Sequence, residues 1–161
     1  MESHHEVEQY WAKKAENIGE AILLKSIAQS FFNDPNHRSL REHFGILFST
    51  ASVLYFEYST AGRKSILDLV MNRKKGDDLD ETLTIPRKRI ETASLIATHT
   101  ARNWIRRNPT PEQAQNLIAE SRSRLWKLLA GSCLLVTSGE SLFAFDTPIN
   151  KDWADFLQRV L

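Results

Sequence analysis

The run LREHFGILFSTASVLYFEY, residues 40–58, decides the fold on a first reading. In it Leu40, Phe44, Leu47, Phe48, Ala51, Leu54, Tyr55 and Tyr58 recur at spacings of three and four, which gathers them on one face of an α-helix. Asp34 and Pro35 ahead of it supply a helix start, with proline in the first turn, where a missing N–H costs nothing. Gly62 bends or breaks the pattern, and Ile66, Leu69 and Val70 carry it on to Met71. The run predicts a long amphipathic helix.

The flanking sequence follows the same period. Ser3 with Glu6 forms a capping box, and Val7, Tyr10, Trp11, Ile18, Ala21, Ile22, Ala28 and Phe32 predict a first helix that stops at Asn33. Gly19 lies inside it as a weak point of ~1 kcal/mol relative to Ala. Residues 72–84 read as a loop with Gly76 and the acidic cluster Asp77, Asp78, Asp80 and Glu81. Ile85 and Pro86 restart a helix whose inner face is Ile90, Ala93, Ala97, Ala101 and Trp104, and Asn108 and Pro109 end it. Thr110, Pro111 and Gln113 start a fourth, with Ala114, Leu117, Ile118, Leu125, Leu128 and Leu129 inward, which fades between Gly131 and Gly139. A second loop, extended over Leu142–Phe145, leads to a short last helix from Asn150 that turns Trp153, Phe156, Leu157 and Val160 inward. The expectation is an all-α bundle of four main helices plus a short C-terminal helix, in a single domain spanning residues 1–161.

Composition narrows the class. The chain has 161 residues, 42% hydrophobic and 25% charged, enough apolar material for a core and too much for disorder throughout. The most apolar stretch, Leu128–Val136, falls short of the roughly 18 residues a membrane span needs. The polar, acidic start has no secretory pattern, and Cys133, as the single cysteine, allows no internal disulfide. These features predict a cytoplasmic protein with no membrane contact.

The net charge of +1 conceals segregation. Residues 35–75 carry seven basic against three acidic side chains, and residues 85–127 carry nine against three, whereas residues 76–84 hold four acids and no base. On a third helix Lys88, Thr92, His99, Arg102 and Arg106 share a stripe away from the apolar face, flanked by Arg87, Arg89 and Arg107. Arg122, Arg124, Trp126 and Lys127 cluster on the fourth. Such a surface suits a phosphate backbone: guanidinium forks donate two hydrogen bonds to phosphate, counterions are released, and Trp126 offers a stacking plane for a base. Arg87, Lys88, Arg89, Arg102, Arg106, Arg107, Arg122, Arg124 and Lys127 are therefore the expected nucleic-acid contacts. Arg63, Lys64, Arg73, Lys74 and Lys75 form a second patch.

Other chemistry is sparse. Arg38, four intervening residues and His43 resemble the catalytic motif of the HEPN ribonucleases, an all-α family in which Arg and His of two protomers meet and cleave RNA without metal. The resemblance covers six residues, with Ser39 where that family usually has a more strongly polar residue. It implies Arg38 and His43 as an alternative catalytic pair. His4, His5 and Glu8, or His37 with His43, fall short of a metal-ligand pattern, so no metal is expected. Cys133 reads as inert packing, and Phe56, off the apolar stripe, as either an interface residue or a gap filler. There is no phosphate-binding glycine loop or nucleophile elbow, and no cofactor is expected.

In helical class, length and charge layout the chain is similar to the small subunits of CRISPR effector complexes, helical bundles that hold a nucleic-acid strand through basic residues. That resemblance implies a non-catalytic subunit of a larger ribonucleoprotein, in contact with single-stranded DNA, RNA or a hybrid and with other subunits, copies of itself included. A protein–protein module that never meets nucleic acid is the remaining alternative.

Overall fold

The computed structural model describes residues 2–33, 40–58, 81–107, 113, 116, 131–139 and 141–159. It overturns the all-α expectation. Its centre is a seven-stranded antiparallel sheet of β1 (Leu24–Asn33), β2 (Leu40–Ser49), β3 (Val53–Tyr58), β4 (Glu81–Pro86), β5 (Ile90–Ala97), β6 (Ser132–Ser138) and β7 (Ser141–Asp146). The strands lie in the order β4-β3-β2-β1-β7-β6-β5. Three helices are described with it: α1 (Glu2–Ile18), α2 (Thr98–Arg107) and α3 (Asn150–Gln158).

The run 40–58 is a β-hairpin. Ser49 to Ser52 break it with a hydroxyl-built turn: Thr50 N–H donates to the Val53 carbonyl at 3.0 Å, and Thr50 Oγ1 accepts from Ser52 N–H at 3.3 Å and Val53 N–H at 3.2 Å. The strands it joins pair from Ser49 with Leu54 to Gly45 with Tyr58. Side chains alternate across them. Leu47, Leu54 and Phe56 point to one core, while Phe48 and Tyr55 stack on the opposite face, their centroids 4.9 Å apart. Both faces are covered, so both sets of positions are apolar, and the sum imitates a helical period.

The other predicted helices are redrawn for similar reasons. The first ends at Ile18, because Gly19, at φ +78°, terminates it in the left-handed conformation, with its N–H on the Ala15 carbonyl at 2.9 Å. From Leu24 the chain is strand β1 and not a continuation of that helix. The third splits into β4, a 3-10 turn over Arg87–Arg89, β5 and only then helix, α2. Residues 132–138 are strand β6, and the extended segment around Leu142–Phe145 is strand β7. The last helix is present from Asn150. The body of the predicted fourth helix lies outside the described residues, as do residues 72–80 of the predicted loop over 72–84, whose last four residues belong instead to strand β4.

The sheet has two covered faces. On the inner one Ala28, Leu47, Leu54, Phe56, Ile85, Ile90, Ala93, Leu134, Val136 and Phe145 pack around Trp153, Ala154 and Leu157 of α3. Asn150 fastens the start of α3 by accepting from Thr147 N–H at 2.7 Å and donating to the Ser132 carbonyl at 2.7 Å. Trp153 Nε1–H donates to Ser26 Oγ at 2.8 Å. On the outer face α2 buries Ala101, Trp104 and Ile105 against Phe31, Ile96, Cys133, Leu135 and Ala144. Beside it α1 sets Trp11 edge-on to Phe48 and pairs Lys14 with Glu57 at 2.6 Å, both side chains largely buried.

Candidate functional site

The basic stripe expected along one helix does not form. Lys88 sits in the 3-10 turn, and Thr92 lies on β5, its hydroxyl 2.7 Å from that of Thr137. His99, Arg102 and Arg106 alone share α2. The expected contact residues therefore divide by environment.

Arg87 is a structural residue. It is 6% exposed, and its guanidinium donates to the carbonyls of Thr50 and Phe156, each at 3.4 Å, and lies 4.4 Å from the centre of the Phe156 ring. Burial holds its pKa below the ordinary arginine value. The Phe156 carbonyl belongs to the last turn of α3, the negative end of that helix, where a cation is favoured. Arg87 thus ties the turn between β4 and β5 to α3. Its neighbours Lys88 and Arg89 are exposed.

Arg102 is largely neutralised. Its guanidinium lies 4.6 Å from the Phe31 ring centre and pairs with Glu42 Oε1 at 3.0 Å, while Gln29 Nε2 donates to Glu42 Oε2 at 2.8 Å. The group bolts α2 to β1 and β2. With both charged side chains about a third or more exposed, the pair contributes about 0–1 kcal/mol.

What remains on α2 is its outer face. His99, Asn103, Arg106 and Arg107 are exposed, and His99, Asn103 and Arg106 follow at spacings of four and three. The helix contains no acidic residue. Its start is anchored by Thr98, whose N–H and hydroxyl both donate to the Gly131 carbonyl, at 3.0 and 3.2 Å. Arg106 and Arg107 close the C-terminal turn, as the dipole prefers. Asn103 is the member of this face that the charge reading passed over. Its helical offset from His99 and Arg106 is the signal that finds it.

Arg122, Arg124, Trp126 and Lys127, and the second patch at Arg63, Lys64, Arg73, Lys74 and Lys75, lie outside the described residues. So does Arg38. His43 is in mid-strand on β2 with its ring 4.5 Å from that of Tyr58, and not in the first turn of a helix. Among the described residues no group of three or more His, Cys, Asp or Glu could hold a metal. Cys133 is fully buried, and its thiol is pushed up to about 12, chiefly by burial and further by Asp146. Phe56 fills the inner core, 1% exposed. Among the described residues no helix is long and apolar enough to cross a membrane.

No family model matches this chain, and no curated protein matches it. Among solved structures it is similar to the C-terminal domain of an unknown protein from Leishmania infantum, at 11% identity over 96% of each chain and a TM-score of 0.48.

Proposed function

We propose that this domain is a non-catalytic binding module that holds a nucleic-acid backbone, single-stranded DNA, RNA or a hybrid, against the outer face of α2 within a larger assembly. The observation that carries the reading is the division of labour on that helix. Ala101, Trp104 and Ile105 are buried, Arg102 is spent on Glu42 and Phe31, and His99, Asn103, Arg106 and Arg107 are left facing outward with no acid on the helix. The surplus of six positive charges over residues 85–127 supports it. The likeness to CRISPR small subunits rests on helical class, length and charge layout, and the class here is a sheet, so the proposal names no particular assembly.

The test is a salt titration of binding to single- and double-stranded DNA and RNA. Affinity falls steeply with salt, and changing Arg106 and Arg107 together to Ala lowers it and flattens the log–log salt slope by about two. Binding that ignores salt, or that survives the double substitution unchanged, overturns the reading.

A second reading, a protein-interaction module without nucleic acid, is favoured by Leu23 and Ile27, which are 53% and 39% exposed. Partner binding weakened by Leu23→Ser but unmoved by salt separates it from the first.

A further inference from the structure

Two strands end the sheet, and they differ in how their free edges are treated. The β5 edge is protected. Its register shifts between Ile90 and Thr92, and Gln158 of α3 donates to the Ala93 carbonyl at 2.7 Å. Among the described residues the β4 edge has neither device. It ends a ladder that pairs Tyr58 with Glu81 through Val53 with Pro86, and no described strand lies beyond it in the sheet.

The ladder also tells which backbone groups face outward. Arg87 N–H donates to the Ser52 carbonyl at 2.8 Å, one step past the Val53–Pro86 pair. Alternate residues of an antiparallel strand turn their N–H and C=O toward a given neighbour. Residues 87, 85, 83 and 81 therefore address β3, and Thr82, Thr84 and Pro86 address the open side. Proline, with no N–H to leave unpaired, stands at an outward position, as edge strands allow. Thr82 and Thr84 are exposed, and each turns a backbone donor and an acceptor to the side away from β3.

The ends of β4 carry opposite charge. Exposed Glu81 opens it, and exposed Lys88 and Arg89 follow Pro86. Laid antiparallel on itself, such a strand brings acidic end to basic end twice, whereas a parallel pairing sets like against like. We propose that β4 pairs antiparallel with β4 of a second copy of this chain across a two-fold axis at Leu83, with Thr82 of each copy opposite Thr84 of the other. The sheets of two protomers become continuous, and the contact is independent of the α2 face.

Sedimentation equilibrium over a wide concentration range tests this. The chain is expected to dimerise with an affinity that declines as salt rises. Thr84→Pro removes an outward N–H and leaves the bonds to β3 in place, so it yields a monomer with an unchanged circular dichroism spectrum. Should that variant fail to fold, charge exchange decides. Glu81→Lys alone, and Lys88→Glu with Arg89→Glu, each weaken self-association by about tenfold, and mixing the two restores a heterodimer. Hydrogen exchange adds a residue-level readout: the Thr82 and Thr84 amides gain protection with concentration, and that of Leu83 does not. A chain that stays monomeric throughout, or a dimer indifferent to these substitutions, overturns the proposal.

Discussion

The rings of Phe56 and Phe145 lie 5.4 Å apart between centroids, although β3 and β7 are separated in the sheet by β2 and β1. In a flat sheet three inter-strand steps would place them ~14 Å apart. The sheet must therefore curl until its first four and last three strands share one core, and Phe56 is a stone in that closure. Phe56→Ala is expected to cost about 3–5 kcal/mol, read by urea denaturation, and Phe56→Leu clearly less. A loss under about 1 kcal/mol would show that the two halves do not depend on this contact.

Gly45 is required by proximity and not by its backbone angles. A Cβ there would lie against the backbone of Glu57 and Tyr58, with the Tyr58 Cα only 2.9 Å away. Backbone on the paired strand cannot swing aside as a flexible side chain can. Gly45→Ala should cost about 1–3 kcal/mol or more by chemical denaturation. A neutral result would mean that β2 and β3 do not approach so closely.

Arg87 gives a prediction that separates charge from shape. Its value lies in a planar group stacked on Phe156 while donating to two carbonyls. Lysine keeps the charge and loses the fork. Arg87→Lys is thus expected to destabilise by about 1–3 kcal/mol, nearly as much as Arg87→Met. Full retention of stability with lysine would contradict the stacked geometry.

Cys133 supplies a pH dependence. Its thiol sits at about 12 in the fold against an ordinary value of 9.0. A raised folded-state pKa contributes stability that is whole below the unfolded value and is lost as pH rises from about 9 to 12, at about 1.4 kcal/mol per unit. Denaturation curves over that window should fall more steeply for the native chain than for Cys133→Ala. In the folded state the thiol should resist alkylation at neutral pH. Parallel curves for the two proteins would show that burial does not govern this group.

Much of the core was legible in the sequence, although most of its secondary structure was not. Leu47, Phe48, Leu54, Trp104, Trp153 and Leu157 are inward residues on either reading. The difficulty lay in strands covered on both sides. Leu47 faces α3's core while Phe48 lies under Trp11, so adjacent positions are both apolar and the period of two is erased. The turn signal was present in Ser49, Thr50 and Ser52, and β-branched and aromatic residues crowd Val53–Tyr58. At α3 the pattern is one-sided and the helix reads correctly. Of the candidate site, the exposed Arg106 and Arg107 follow from charge and helix position. The burial of Arg87 does not, because Phe156 and Thr50 meet it only through the tertiary fold.

The Trp153 to Ser26 hydrogen bond joins residues 127 positions apart, and α3 is the element that fills the concave side of the sheet. In chain order, then, all seven strands precede the segment that seals their shared interior. Without α3 docked, that interior would be an open hydrophobic trough, with Leu134, Val136 and Phe145 unshielded. The inner core is complete only once Leu157 has docked with Trp153 on those strands.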